Sequence, residues 1–472
     1  MASKTIGSFV TLQRGITYKG NLVGAEGPAL LGLGSIVPGG GFRESDYKTY
    51  GGDCPEKITL KPGDIFASLK GATKDGKMIG SVARVPNSIA KGRLTQDTVK
   101  LEFLERNTSF ENYIYWLLRT PQYRDYCAKR ATGSAVVALS RDDFLSYPVP
   151  DHTDVRARII TLLESIEQKI TLNRQINQTL EQMALTLFKS WFVDFDPVMD
   201  NALDAGNPIP EELQHRAEAR KAVRESDAQI GEAPGKQQPL PDDVRQLFPD
   251  AFEESELGWV PKGWVYRDAE SVASVSIGKT PPRKESQWFS ETPSDNVTWV
   301  SIRDMGGYGA FTGRSSEYLT QDAVSQFNVK RVPKDSVLLS FKLTLGRVAI
   351  ARSELTTNEA IAHFVNPKFG LNKEFLYSYL STFDYDRLGS TSSIATAVNS
   401  KIIKRMPILV PTESASTAFE YQVGQLFEKM KLIDSEVTTL TELRDTLLPR
   451  LISGELRLDE VEAAVEQETV SA

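Results

Sequence analysis

Residues 156–192 read RARIITLLESIEQKITLNRQINQTLEQMALTLFKSWF. Apolar side chains fall at Ile159, Leu163, Ile166, Ile170, Leu180, Ala184, Leu187 and Trp191, and Asn173 and Asn177 fill the two missing positions of the same four-three rhythm. A seam sustained this long predicts one long helix with a partner along its length. After Pro411 a second rhythm appears at Val423, Leu426, Met430, Ile433, Val437, Leu440 and Leu447, interrupted by Arg444. Helices of about 35 residues would each be about 50 Å long. Two such seams in one chain pack most simply on each other, as an antiparallel coiled coil. The two asparagines either fix register as buried polar groups or face solvent at a small twist. Pro449 lacks an N–H and clashes with the preceding turn, so it ends or kinks the second helix. Ser453-Gly454 reads as a stop.

Working outward, each helix follows a block that occurs twice. Leu31-Gly32-Leu33-Gly34-Ser35-Ile36 is matched by Trp299-Val300-Ser301-Ile302-Arg303-Asp304. Leu60-Lys61-Pro62-Gly63-Asp64-Ile65 is matched by Val332-Pro333-Lys334-Asp335-Ser336-Val337, a turn into a strand in both cases. SAVVAL at 134–139 is echoed by SIATAV at 393–398, and both lead to Pro-containing exits, Tyr147-Pro148-Val149-Pro150 and Met406-Pro407-Ile408-Leu409-Val410-Pro411. Insertions separate the halves, as in diverged duplicates. The fold class expected is therefore α+β: two mixed, strand-rich domains separated by two long antiparallel helices. The boundaries read 1–150 for the first domain, 151–196 for a helix, 197–256 for a polar linker with little core of its own, 257–411 for the second domain, 412–458 for the second helix and 459–472 for an acidic tail.

The net charge of −7 argues against a nucleic-acid partner until its distribution is read. Residues 1–150 carry 20 Lys/Arg against 14 Asp/Glu and residues 262–411 carry 19 against 14, whereas residues 151–261 carry 11 against 21 and residues 412–472 carry 5 against 13. The globular blocks are locally basic, as a surface approaching phosphates requires. No run of apolar residues is long enough for a transmembrane helix, and the first residues lack a secretion signal, so a cytoplasmic location is expected. Two cysteines, Cys54 and Cys127, cannot hold zinc by themselves.

Catalytic patterns are missing. Gly278-Lys279-Thr280 looks like the end of a phosphate loop, but the glycine needed five residues earlier is Ala273, and Pro281-Pro282 forces extended chain where a helix must open. His152, His215 and His363 have no metal-ligand neighbours at helical or turn spacing; His152 reads as part of a helix cap. No carboxylate pair is singled out for acid–base work. The alternatives to a DNA reader are a coiled-coil adaptor whose globular domains bind a non-DNA ligand, and an enzyme with a nucleotide site at Gly278-Lys279-Thr280.

Several phrases together resemble the specificity subunits of Type I restriction-modification enzymes. Leu447-Leu448-Pro449-Arg450-Leu451-Ile452-Ser453-Gly454-Glu455-Leu456 is similar to that family's second conserved region. Leu185 to Phe195 (LTLFKSWFVDF) is similar to the end of its central one. Leu257 to Trp264 (LGWVPKGW), and Gly278-Lys279-Thr280-Pro281 leading to Trp299-Val300-Ser301-Ile302, resemble the approach to a second target-recognition domain. The first block lacks the Gly-Trp phrase and begins almost directly at Thr11-Leu12-Gln13-Arg14-Gly15, as a trimmed or more diverged domain would. The resemblance implies a non-catalytic subunit that reads a bipartite double-stranded DNA target, with helix length as the ruler between half-sites. It also implies two methyltransferase subunits and restriction subunits as partners, which would carry S-adenosylmethionine, ATP and Mg; this chain would hold no cofactor or metal and meet no membrane.

Base and phosphate contacts need cationic and polar side chains on loops. Candidates in the first block are Lys70, Lys74 and Lys77; in the second they are Lys279, Thr280, Arg283, Lys284, Arg303 and Lys342. Partner docking is expected at Phe188, Trp191, Phe192, Leu448 and Leu451, so that Trp191→Asp would abolish docking while leaving the chain soluble.

Overall fold

The computed structural model of the chain describes residues 4–43, 47–71, 77–133, 137–230, 240–388 and 398–453. Two units form, one from Met1–Thr171 with Thr438–Ala472 and the other from Leu172–Val437. Unit 1 contributes β1 (Val10–Arg14), β2 (Ala29–Leu31), β3 (Thr59–Leu60), β4 (Ile65–Ser68), β5 (Val82–Arg84), β6 (Gly92–Leu94) and β7 (Thr98–Phe103). An antiparallel sheet runs in the order β1-β7-β4-β5, and a second, β2-β6-β3, contains the parallel pair β2–β6. β4 is buried along its whole length, as expected of an apolar run following a tight turn. That turn is closed by Asp64, whose carboxylate accepts from the Lys61 N–H at 2.8 Å, with Gly63 at a φ of 86°. Helices α1 (Thr108–Leu117), α2 (Pro121–Arg130) and α3 (Arg141–Leu145) follow.

The long helix α4 (Asp154–Phe192) carries the predicted seam. Beyond it lie α5 (Asp196–Ala205), α6 (Gln214–Ile230), α7 (Asp242–Arg245), and the hairpin β8 (Phe252–Ser255) with β9 (Gly258–Pro261). Next come β10 (Val265–Asp268), α8 (Ala269–Val272), β11 (Ser274–Ile277), β12 (Phe289–Ser290), β13 (Val297–Val300), α9 (Ile302–Met305), β14 (Glu317–Leu319) and α10 (Gln321–Gln326). The unit closes with β15 (Val337–Ser340), β16 (Val348–Ile350), β17 (Thr356–Thr357), β18 (Ile361–Val365), α11 (Lys373–Thr382), α12 (Ser400–Lys404), β19 (Pro407–Val410) and α13 (Glu413–Ser453).

Unit 2 repeats the framework of unit 1. Its antiparallel sheet runs β11-β18-β15-β16, and its second sheet, β12-β14-β13-β17, again holds one parallel pair, β13–β17. Register is conserved: Arg14 pairs with Val99 and Ile277 with Ala362, each 263 residues on. The helix after the last sheet strand is capped alike, Asn107 accepting from the Phe110 N–H at 3.1 Å and Asn372 from the Phe375 N–H at 2.7 Å. The Pro exits match as well, since Thr5 bridges Pro148 as β10 pairs with β19. The SAVVAL and SIATAV echoes lie largely outside the described residues.

Within unit 2, α4 and α13 run antiparallel: Phe188 lies 5.6 Å from Phe419, and Asn177 reaches Met430 and Asp434. Asn173 is buried, and the Asn177 amide donates to the Met430 carbonyl at 3.1 Å and to Asp434 at 2.7 Å. Asn177 therefore faces the neighbouring helix, the arrangement that fixes register. Arg444, the interruption of the second seam, is matched within unit 1 by Glu167 at 2.8 Å. Pro449 stands inside α13, which runs on to Ser453, so it does not end the helix.

Among the described residues, the polar stretch 197–256, expected as a linker with little core of its own, is folded. Met199, Leu213 and Ala217 form a small core, and Val198 and Phe248 join the large one. Polar residues serve it because they pair: Arg220 forks onto Asp200 at 2.9 and 2.7 Å, and the Asn201 amide donates to the Phe248 carbonyl at 2.9 Å. His152 is not a cap. Thr153 accepts from the Arg156 N–H at 3.4 Å instead, while the His152 ring packs 5.0 Å from that of Tyr113.

Candidate nucleic-acid interface

In both units three loops meet at one edge of the four-stranded sheet. The first follows β1 or β11 and begins with glycine, because the chain passes too close to the neighbouring turn for any Cβ. At Gly15 a Cβ would lie 2.0 Å from the Thr95 carbonyl oxygen, and at Gly278 it would lie 2.1 Å from Thr357 Oγ1 and 2.2 Å from the Asn358 oxygen. The second loop is that neighbouring turn, closed by the Thr98 N–H on Thr95 at 3.1 Å in unit 1 and by the Ile361 N–H on Asn358 at 3.3 Å in unit 2. The third is the hairpin loop, 341–347 between β15 and β16 or, among the described residues, 69–71 and 77–81 between β4 and β5. The Gly80 N–H bonds the Ser68 carbonyl at 2.7 Å, as the Gly346 N–H bonds that of Ser340 at 3.0 Å.

In unit 2 the loop after β11 carries Lys279, Thr280, Arg283 and Lys284. The Thr280 hydroxyl donates to the Glu359 carboxylate. Burial acts to raise the Glu359 pKa, but this bond and the cations Lys342 and Arg283 outweigh it and hold the group below its usual range. Glu359 thus ties the first loop to the turn, and the Phe341 N–H bonds the Ala360 carbonyl at 2.9 Å to join the hairpin to the turn. Arg283 forks onto Glu317 at 2.7 and 2.9 Å, and its guanidinium lies 4.4 Å from the Phe289 ring and 4.5 Å from that of Trp299. Fork and stack fix its plane while leaving other N–H donors outward. Lys279, Lys284, Arg303 and Lys342 are exposed and make no ion pair among the described residues. Arg303 stands on α9, capped by Ser301, whose Asp304 also accepts from the Ser316 N–H at 3.0 Å and so holds α9 beside β14.

In unit 1 the Lys70 ammonium pairs with Asp97 of the turn at 2.9 Å, and Lys77 is exposed with its carbonyl bonded by Arg124. Lys74 lies outside the described residues. Thus Lys70, Lys77 and Lys342 occupy the same hairpin of the duplicated framework. The sequence reading missed the unit 1 counterpart of Lys279 and Thr280, which is Ile16 and Thr17. The signal is Gly-x-Thr, found at Gly15-Ile16-Thr17 and again 263 residues on at Gly278-Lys279-Thr280. Thr17 and Tyr18 line a concavity of about 700 Å³ with Gly32, Lys48, Gln96 and Asp97.

Residues 261–424 match the Type I restriction modification DNA specificity domain. The specificity subunit of the Type I restriction enzyme HindI, from Haemophilus influenzae, is 28% identical over 419 residues, 83% of this chain and 89% of that protein. That of the enzyme MjaIX, from Methanocaldococcus jannaschii, is 22% identical over 385 residues, 79% of this chain and 76% of that protein. The chain is similar to the specificity subunits of Type I restriction-modification enzymes. The solved S subunit from M. genitalium matches 95% of each chain at 14% identity, with a TM-score of 0.47. That of Thermoanaerobacter tengcongensis matches 96% of each at 14%, with a TM-score of 0.30. A specificity subunit is the non-catalytic member of its system, in keeping with the missing catalytic patterns. Consistent with the broken phosphate-loop pattern, no helix opens at Thr280. Among the described residues no helix is long and apolar enough to cross a membrane.

Of the expected docking residues, Phe188, Trp191, Phe192 and Leu448 need correction. Phe188, Trp191 and Phe192 are buried in the core of unit 2, packed on Phe375, Phe419 and Trp264. An aromatic surface already covered by its own chain is closed to a partner, and Trp191→Asp would place a charge inside this core. Leu448 is buried too, and the Leu451 side chain lies outside the described residues.

Proposed function

We propose that the subunit reads a bipartite double-stranded DNA target, each unit taking one half through its three-loop face. The observation that supports this reading best is the recurrence in both units of a glycine-initiated loop and a turn at one common offset of 263 residues, each beside a lysine-bearing hairpin. Such an edge offers cations for phosphates and hydroxyl and guanidinium donors for base edges. Lys279, Thr280, Arg283, Lys284, Arg303 and Lys342 would serve one half-target, and Lys70, Lys74 and Lys77 the other, joined by Ile16, Thr17 and Tyr18. The long helices, about 58 Å for the 39 residues of α4 and about 61 Å for the 41 of α13, would set the spacing between half-targets. Half-targets one DNA turn apart are about 34 Å between centres. Two methyltransferase subunits and restriction subunits would assemble on this scaffold in the cytoplasm, supplying the chemistry of S-adenosylmethionine, ATP and Mg.

Co-expression with the methyltransferase encoded beside it, followed by single-molecule mapping of N6-methyladenine in host DNA, tests the reading. Methylation confined to one split motif and dependent on this chain is the expected result. Methylation that persists at the same sites without the chain, or no motif at all, would refute it.

A further inference from the structure

Leu343 stands at the tip of the β15–β16 hairpin of unit 2 and is fully exposed. Its φ is 63°, and the Thr344 N–H bonds the Lys342 carbonyl at 2.7 Å, closing a three-residue turn of the rare, strained hand. Single exposed leucines are ordinary, but a leucine in this conformation is not, since glycine, asparagine or aspartate would hold it at lower cost. Phe369 shares the positive φ, yet Arg267 lies 4.5 Å over its ring; Leu343 has no such cover. The base of the tip is rigid. Ser340 donates through Oγ to the Thr344 carbonyl at 2.7 Å and accepts from the Arg347 N–H at 3.0 Å, while the Phe341 N–H bonds Ala360 at 2.9 Å and the Phe341 side chain is buried. Strain held by a rigid frame marks a position whose shape matters to something outside the chain. Lys342 precedes it in the chain, and Lys342 and Arg283 of the loop after β11 both act on the Glu359 carboxylate, to which Thr280 of that loop is bonded.

We infer that Leu343 is an apolar wedge that enters the base stack of the half-target read by unit 2, with the surrounding cations gripping the flanking phosphates. This rests on the DNA reading proposed above. Apolar side chains at the tip of a cationic element part a base step and kink the duplex when phosphate contacts hold both sides. The fixed backbone removes the entropic cost of aiming the wedge.

The test uses the full chain in complex with its methyltransferase and duplexes carrying the mapped motif, with 2-aminopurine placed in turn at each position. The native complex should raise fluorescence severalfold at one step. Leu343→Ala and Leu343→Gly should abolish that rise and weaken target binding about tenfold, while Leu343→Phe keeps both. Leu343→Gly relieves the backbone strain, so an unlowered melting temperature separates loss of the wedge from loss of the fold. Native complex that binds the motif without unstacking any step would overturn the inference and leave the DNA reading standing. An unstacking signal that survives in Leu343→Ala would do the same, as would loss of methyltransferase co-purification in that variant, which would make the tip a protein contact. Failure of the native complex to bind any motif would overturn both readings.

Discussion

In unit 1, Glu164 of α4 accepts both guanidinium branches of Arg84, at 2.7 and 2.9 Å, and the Trp116 indole N–H at 2.5 Å. One turn on, Glu167 meets Arg119 at 3.5 Å and Arg444 at 2.8 Å, with Arg84 stacked 4.1 Å over Tyr115. In unit 2 the same helix presents Phe188, Trp191 and Phe192 to Phe375, Phe419 and Trp264 at centroid distances of 4.9 to 6.0 Å. One strand framework is thus seated on the helices twice, once through a charged fork and once through aromatic packing. Apolar packing tolerates small shifts in angle because it is non-directional, whereas a bidentate fork fixes one geometry. Duplication conserved the sheet register and the helix cap, and left the chemistry of the seat free to diverge.

The aromatic seat should be the costlier to break. Trp191→Ala is expected to destabilise unit 2 by about 4 kcal/mol, the range for a large buried aromatic. Hydrogen exchange should show protection lost in α11 and β19 while β4 and β7 of unit 1 keep theirs. Equal loss in both units would mean that the two seats are one cooperative structure. The charged seat is next. Glu164→Ala leaves the largely buried Arg84 without its partner and is expected to cost about 3 kcal/mol in urea unfolding. Adding Arg84→Met should recover most of that loss, because it removes the orphaned charge. A double variant no more stable than Glu164→Ala would show that geometry, not desolvation, dominates the pair.

These seats also show what the sequence made legible. The four-three rhythm predicted α4 and α13, but a rhythm says only that a face is covered, not by what. Phe188 and Trp191 therefore read as partner surface when their cover is unit 2 itself. Segment 197–256 read as a linker because its apolar residues are sparse; Arg220–Asp200 and Asn201 hold it by pairing that no periodicity reveals. In unit 2 the proposed face is marked by charge. That of unit 1 was half missed because Ile16 stands where unit 2 has Lys279, so a search for cations passed over a loop that only the Gly-x-Thr spacing betrays.

A third contrast lies inside the sheets, at positions 263 residues apart. Lys100 of β7 pairs with Asp64 at 2.7 Å, whereas His363 of β18 is buried between Ser276 and Thr357, with its ring nitrogens 3.0 and 2.7 Å from their hydroxyls. Burial pushes the His363 pKa down from 6.5 to about 4. A histidine held neutral in the fold takes up a proton more readily when unfolded. Its contribution is therefore complete above about pH 6.5 and is lost as the pH falls towards 4, by up to about 3 kcal/mol. Unit 2 should lose stability across that window, and His363→Asn should flatten the slope in melts taken from pH 7 to 4. An unchanged slope would assign the acid sensitivity to other groups.

The smallest effect expected concerns the faces themselves. Lys279→Ala, Arg283→Ala and Lys284→Ala together remove one stacked guanidinium and two exposed ammonium groups. Target binding by the assembled complex should weaken severalfold, about 1 kcal/mol, with a shallower dependence on salt. Lys70→Ala removes a cation already neutralised by Asp97, so its effect on the salt slope should be smaller. Unit 1 would then read its half-target mainly through Ile16, Thr17 and Tyr18, by shape and hydroxyl contacts rather than charge. A salt slope moved as far by Lys70→Ala as by the triple variant would mean that the Lys70–Asp97 pair opens on DNA. The two faces would then be chemically alike in the bound state, and the contrast between them would belong to the free protein alone.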